Sequence, residues 1–164
     1  MAGSYSAHSE MSPNSLPQKL QSRLFGFFSL KESRIYSLYS FHYTVPFSDP
    51  AHGAIEVIFN PPNLDPSSWS SALISAEQRA EALLASQHSI LSSGEHHFET
   101  LFSDYGLQET KIDRISPRLK LRTLILNSEG NDEFIYDSPD LFPSFVLYVS
   151  VAHDLKVTEV NFDG

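Results

Sequence analysis

The chain contains no cysteine, which excludes disulfides, thiolate metal sites and cysteine nucleophiles at once. The compartment stays open on that ground, since a cysteine-free protein is stable under either redox regime. Glycine is scarce, seven residues in 164. Neither G-x-G-x-x-G nor the P-loop pattern occurs among them, so no phosphate-cradling loop is encoded. Serines are many, yet there is no G-x-S-x-G elbow and no S-x-x-K pair to activate one. Cations are outnumbered, with 11 Lys and Arg against 20 Asp and Glu and a formal charge of −9. That balance argues against general nucleic-acid binding, which needs a basic face to neutralise phosphates. Nowhere do about 18 apolar residues run together, so no membrane span is expected. Residues 1–20 hold no apolar run to act as a signal-peptide core, and cytoplasmic residence is the expectation.

What the chain does have is enough apolar material for one core. Hydrophobic residues make up 41%, with 12 Phe and 7 Tyr, at a length typical of a single domain. Residues 1–22 are small and polar, with Pro13 and Pro17, and read as a disordered lead that buries too little to offset ordering entropy. Met11 is an alternative start. The folded domain is expected over residues 23–164.

Within it, Leu24–Phe28 reads as a short apolar strand. Ile35, Ser37, Tyr39, Phe41, Tyr43 and Val45 share one parity, and this alternation predicts one half-buried strand that Pro46 and the Ser48-Asp49-Pro50 turn bring to an end. A partner strand follows at 54–59, stopped by Asn60-Pro61-Pro62. The period then changes. Asp65 and Pro66 are start signals, and Trp69, Leu73, Ala76, Ala80, Leu83, Gln87 and Ile90 form one helical stripe, with Glu77, Arg79 and Glu81 off it. A short second helix carries Phe98, Leu101, Phe102 and Tyr105 inward and ends at Gly106, suited to a left-handed C-cap. Further strands are expected at 119–126, where Leu119, Leu121, Thr123 and Ile125 share a face, at 133–137, at 145–151 and at 155–162. Gly130 and the His153-Asp154 pair supply hairpin chemistry. The predicted class is α+β: an antiparallel sheet of about six to seven strands in two meanders, packed on one long helix plus a short second helix.

Charge is uneven along the chain. Lys111, Arg114, Arg118, Lys120 and Arg122 face Asp113 alone, a local balance of +4, whereas residues 129–164 carry eight carboxylates and one cation, −7. The cationic stretch reads as solvated strand and loop positions.

The run Gly130-Asn131-Asp132-Glu133-Phe134-Ile135-Tyr136-Asp137, then Asp140-Leu141-Phe142 and an ending in Asn161-Phe162-Asp163-Gly164, resembles the closing segment of an uncharacterised bacterial family, domain of unknown function 2262. The likeness covers residues 24–164 and is sharpest over 121–164. Members often place a His shortly after the Asp-Leu-Phe; here that place is Phe145, so a site using that imidazole is absent or moved. The family implies no activity. Neighbouring small acidic α+β families resemble immunity proteins that neutralise a toxin, which is an analogy of fold.

The densest set of metal-capable side chains is Glu95, His96, His97 and Glu99. Chelation from a helix favours i and i+4, and His96 and His97 face Thr100 and Leu101 at that spacing, so a surface helix turn is the expectation and no metal or cofactor is expected. Asp49, His52 and Gly53 could position an imidazole for proton transfer, but read first as a turn. Asp132, Glu133, Asp137 and Asp140 fail the EF-hand spacing and serve the hairpin, or face a basic protein partner. The favoured function is therefore a non-catalytic protein-binding module of immunity-like kind. Two alternatives stand beside it. One is a small hydrolase or metal-assisted enzyme using His52, His96 or His97 with carboxylates. The other is a homo-oligomer subunit, with Tyr36 and Tyr148 exposed by their parity.

Overall fold

The computed structural model of the protein describes residues 16–36 and 38–164; the expected disorder of residues 1–15 and the choice between Met1 and Met11 lie outside them. Eight strands form one sheet in chain order: β1 Lys19–Ser22, β2 Gly26–Ile35, β3 Leu38–Asp49, β4 Gly53–Asn60, β5 Lys120–Asn127, β6 Asp132–Asp137, β7 Val146–Val151 and β8 Val157–Asp163. All neighbours are antiparallel except β4 and β5, which run parallel. A parallel pair needs a crossover. Here it is the helical layer: α1 Trp69–Ala85, α2 Gln87–Ser93, α3 Glu95–Asp104 and α4 Ile112–Ile115. The molecule is α+β, two meanders side by side with helices on one face. No helix among the described residues is long and apolar enough to cross a membrane.

The sheet has eight strands rather than six or seven because the fold starts before residue 23. β1 pairs with β2 from Lys19↔Ser29 to Ser22↔Gly26, Leu16 is buried, and Tyr43 Oη donates to the Pro17 carbonyl at 2.7 Å. So residues 16–22 belong to the fold, 19–22 of them as a strand of the sheet, held by contacts that a polar composition does not advertise. The strand expected over 35–45 is β3, displaced toward the C-terminus, and its expected first residue, Ile35, instead ends β2, which extends the strand expected over 24–28. β2 runs through Ile35, Tyr36 turns with φ 58°, and β3 starts at Leu38. Ile35 pairs with Leu38 and Arg34 with Tyr39, so the parity slips by one across the turn and Ile35 stands on the face opposite Tyr39, Phe41 and Tyr43. An apolar Ile35 fits the pattern in either phase, which hides the break. Pro46 does not end β3. The β2 ladder stops at Ser29↔Thr44, so the missing N–H of Pro46 leaves no partner on that side unmet.

The helical stripe is real but segmented. Trp69, Ala76, Ala80, Leu83 and Ile90 are buried, each large side chain contributing roughly 1.5–3 kcal/mol. The chain departs from helical geometry at Ser86 (φ −121°) and Gly94 (φ −103°), so the expected long helix ends at Ala85 and two shorter helices follow where one was expected. Gly94 is required: a Cβ there would lie 2.7 Å from the Val157 side chain. That corner seats α2 and α3 against β8, and Ser93 Oγ accepts the Val157 N–H at 3.1 Å. Gly106 (φ 75°) closes α3 as expected, with Leu107 N–H to Phe102 O and Gly106 N–H to Ser103 O forming the paired Schellman bonds.

Two bulges re-aim the second meander. Arg122 is the extra residue between the Leu121–Tyr136 and Thr123–Ile135 pairs, and Thr158 is extra between Val151–Val157 and Ser150–Glu159. Past the first bulge, Leu124 and Leu126 are buried while Thr123 and Ile125 turn outward, the reverse of the expected parity. One inserted residue exchanges the faces of everything beyond it.

Candidate functional site

The carboxylates expected to meet a partner do not act together. Asp132 is 1% exposed and holds Arg79 in a fork, Nε to Oδ2 at 2.7 Å and Nη2 to Oδ1 at 3.1 Å. The same network takes in Asn127 N–H to Asp132 Oδ1, Arg79 Nη2 to Asn127 O, Arg79 Nη1 to Ser75 Oγ and Asn60 Nδ2 to Asn127 Oδ1. It fills the carboxyl ends of the parallel β4–β5 pair, the place where open α/β sheets leave a crevice for ligand. Here the chain's own side chains satisfy one another. Asp132 is therefore half of a structural ion pair, out of reach of a partner, and the off-stripe residues Glu77, buried, and Arg79, half-buried, are anchors of the fold. Glu77 accepts from Ser22 Oγ and Leu24 N–H, tying α1 to β1.

Asp140 lies at the surface. Its carboxyl is held below the usual range by hydrogen bonds from the Arg118 guanidinium (2.6 Å) and Ser138 Oγ (3.0 Å). Asp137 sits 3.5 Å from Arg122 Nε, and its Oδ1 is buried with no hydrogen-bond partner among the described residues. Two further cations of the stretch, Lys111 and Arg114, are engaged likewise. Lys111 Nζ meets Glu99 at 2.9 Å, which raises the lysine pKa. Arg114 meets Glu109, whose carboxyl is lowered chiefly by the Lys111 N–H.

On α3, Glu95, His96 and His97 are exposed and Glu99 is half-buried against Lys111. Among the described residues no group of three or more His, Asp or Glu side chains converges on one point.

His52 has a defined environment that its sequence context hinted at only as a turn. Asp49 is buried and accepts the N–H groups of Ala51 and His52 at 3.2 and 2.9 Å. His52 Nδ1 accepts the Leu121 N–H at 3.1 Å, so the neutral ring carries its proton on Nε2. The imidazole thus straps the β3–β4 turn to the start of β5. It lines a cleft of about 370 Å³ with Leu84, Gln87, His88, Ser116 and Tyr136, residues no local motif marks. Tyr136 Oη donates to Gln87 Oε1 at 2.9 Å, and burial, then the Asp49 carboxylate, pushes its pKa up. That phenol is a structural donor. His96 and His97 do not line this cleft, so the three histidines of the hydrolase reading do not meet in it.

Among the described residues, the sheet face opposite the helices is covered by no other element. Register places Thr44, Ile58, Ile125, Glu133, Ser150 and Glu159 in one row across β3 to β8. The adjacent row holds Pro46, Glu56, Thr123, Ile135, Tyr148 and Asn161. Ile58, Ile125, Ile135 and Tyr148 are half-buried at its centre, with Glu133 beside them and Glu159 and Asp163 toward the β8 edge. The parity of Tyr148 announces this face in the sequence; Ile125 joins it only through the bulge at Arg122. A scan against family models and searches of curated proteins and of solved structures found no match.

Proposed function

We propose that this protein is a non-catalytic protein-binding module, immunity-like in kind, that presents the uncovered sheet face to a basic protein partner inside the cell. The observation that carries the reading is the apolar centre of that face, Ile58, Ile125, Ile135 and Tyr148, bordered on one side by Glu133, Glu159 and Asp163. An apolar patch with a charged rim is the anatomy of a docking surface, and acidic rim groups steer a cationic partner. The absence of catalysis is part of the proposal and rests on how the candidate groups are spent: Asp132 on Arg79, Tyr136 on Gln87, and His52 Nδ1 on Leu121. Membership of the domain of unknown function 2262 family belongs to the same proposal and rests on the sequence resemblance alone, sharpest over residues 121–164, with the Gly130–Asp137 run, Asp140-Leu141-Phe142 and the closing Asn161-Phe162-Asp163-Gly164.

The test is affinity capture by the full chain, comparing wild type with the Glu133→Lys/Glu159→Lys double variant and with Ile125→Lys. One stoichiometric basic protein should be retained by wild type, released at high salt and lost from both variants. Equal retention by wild type and both variants refutes the assignment of the face.

A further inference from the structure

β2 is longer than the strand it pairs with on its outer side. β1 covers Gly26 to Ser29 only, and the Leu30 N–H reaches back to the Gln18 carbonyl at 3.0 Å. From Lys31 to Ile35 no described residue pairs with that edge, and all five residues are exposed. Together with β3 this stretch forms a two-stranded arm, with Ile35 62%, Tyr36 96% and Leu38 75% exposed at its end. An unpaired strand edge is a template for another strand. The nominal sheet edge, β1, is four residues long and offers less.

We propose that a second copy of this chain docks on the free edge of β2, forming an antiparallel β2–β2 pair centred on Ser33. Backbone alternation limits the register. Because the Leu30 N–H points toward β1, the N–H and C=O groups of Glu32 and Arg34 point the same way, and those of Lys31, Ser33 and Ile35 point to β3. Two identical edges can therefore exchange hydrogen bonds with Glu32 opposite Glu32, Arg34 opposite Arg34, or Glu32 opposite Arg34. The first two set like charges face to face, which is unfavourable across strands. The third is centred on Ser33 and matches opposite charges twice by symmetry, as a closed two-fold contact requires. Among the described residues neither Glu32 nor Arg34 makes an ion pair. Glu32 accepts from Tyr39 Oη at 2.9 Å, and Arg34 lies 5.4 Å over the Tyr39 ring, so both side chains already stand on the helix-side face of the arm. On the other face the same register lays exposed Ile35 along the Lys31 stem of the second copy. The result is one continuous sheet through two molecules. It uses the strand edge, not the sheet face, and stands independently of the partner-binding reading.

Sedimentation velocity of the full chain over a concentration series tests it. Wild type should move from one chain mass to two as concentration rises. Arg34→Glu and Glu32→Arg should each raise the dissociation constant at least about tenfold, and the charge-swapped double variant, Glu32→Arg with Arg34→Glu, should return it to near the wild-type value. Far-UV circular dichroism establishes that each variant is folded. A wild type that stays monomeric overturns the proposal and leaves the edge to the chain's own first fifteen residues or to another protein. A dimer indifferent to both single changes, or one the double variant does not restore, overturns the Glu32–Arg34 pairing.

Discussion

At the residue scale, two aspartates from the same acidic third show how surroundings decide what a carboxylate does. Asp132 is closed off with Arg79 and the Asn127 N–H, whereas Asp140 meets Arg118 in solvent. Removing one member of a buried pair strands the other, so Asp132→Ala should cost about 3–5 kcal/mol of stability by urea denaturation. Arg118→Ala should leave the midpoint nearly unchanged. Its readout is titration: Asp140 lies below its ordinary value of 3.8 because of Arg118 and Ser138, and an NMR pH series should show it rising when Arg118 is gone. A depressed carboxyl stabilises the folded state above that ordinary value, and the contribution disappears as pH falls through the lowered one. The phenols of Tyr39 and Tyr43, raised to about 12 chiefly by burial, stay neutral throughout that range. Sequence alone groups Asp132 and Asp140 as equivalent acids, because nothing local says that an arginine 53 positions away will face the first of them.

At the element scale, the corner between α2 and α3 is the most demanding junction. Val157 leaves no room for a side chain at Gly94, so Gly94→Ala should cost about 1–3 kcal/mol of stability, read as a lower urea midpoint with an unchanged slope. The elements themselves were legible where chemistry is local: the Asp65 cap, whose carboxylate accepts the Ser67 N–H, the Gly106 and Gly130 turns with positive φ, and the period-two strands. They were illegible where one residue changes the count. The bulge at Arg122 swaps Ile125 to the outer face and Leu124 to the core, yet Leu121 to Leu126 reads equally well in either phase. The hairpin at Tyr36 hides for the same reason.

At the scale of the whole molecule, the meanders are joined by the β4–β5 ladder and by one helical layer that packs on both. The single tryptophan, Trp69, is buried against Phe41 and Tyr43 of β3, so it reports on the first meander. With a continuous core, tryptophan fluorescence and far-UV circular dichroism should give coincident urea transitions; separated midpoints would mean that the halves unfold independently. The acid-rich second meander and the exposed β2 arm then lie in different strands of one sheet, one offering a face and the other an edge.

Sequence alone determined the class of most elements, their order from β4 onward and the turns at Gly106 and Gly130, because hydrophobic period, caps and left-handed glycines act within a few residues. Tertiary structure alone decided which carboxylates are free, where the histidines stand relative to one another, which face of β5 is outside, and which strand edge is left unpaired. Each of those depends on partners many residues away or on a ladder that stops, and neither leaves a local trace.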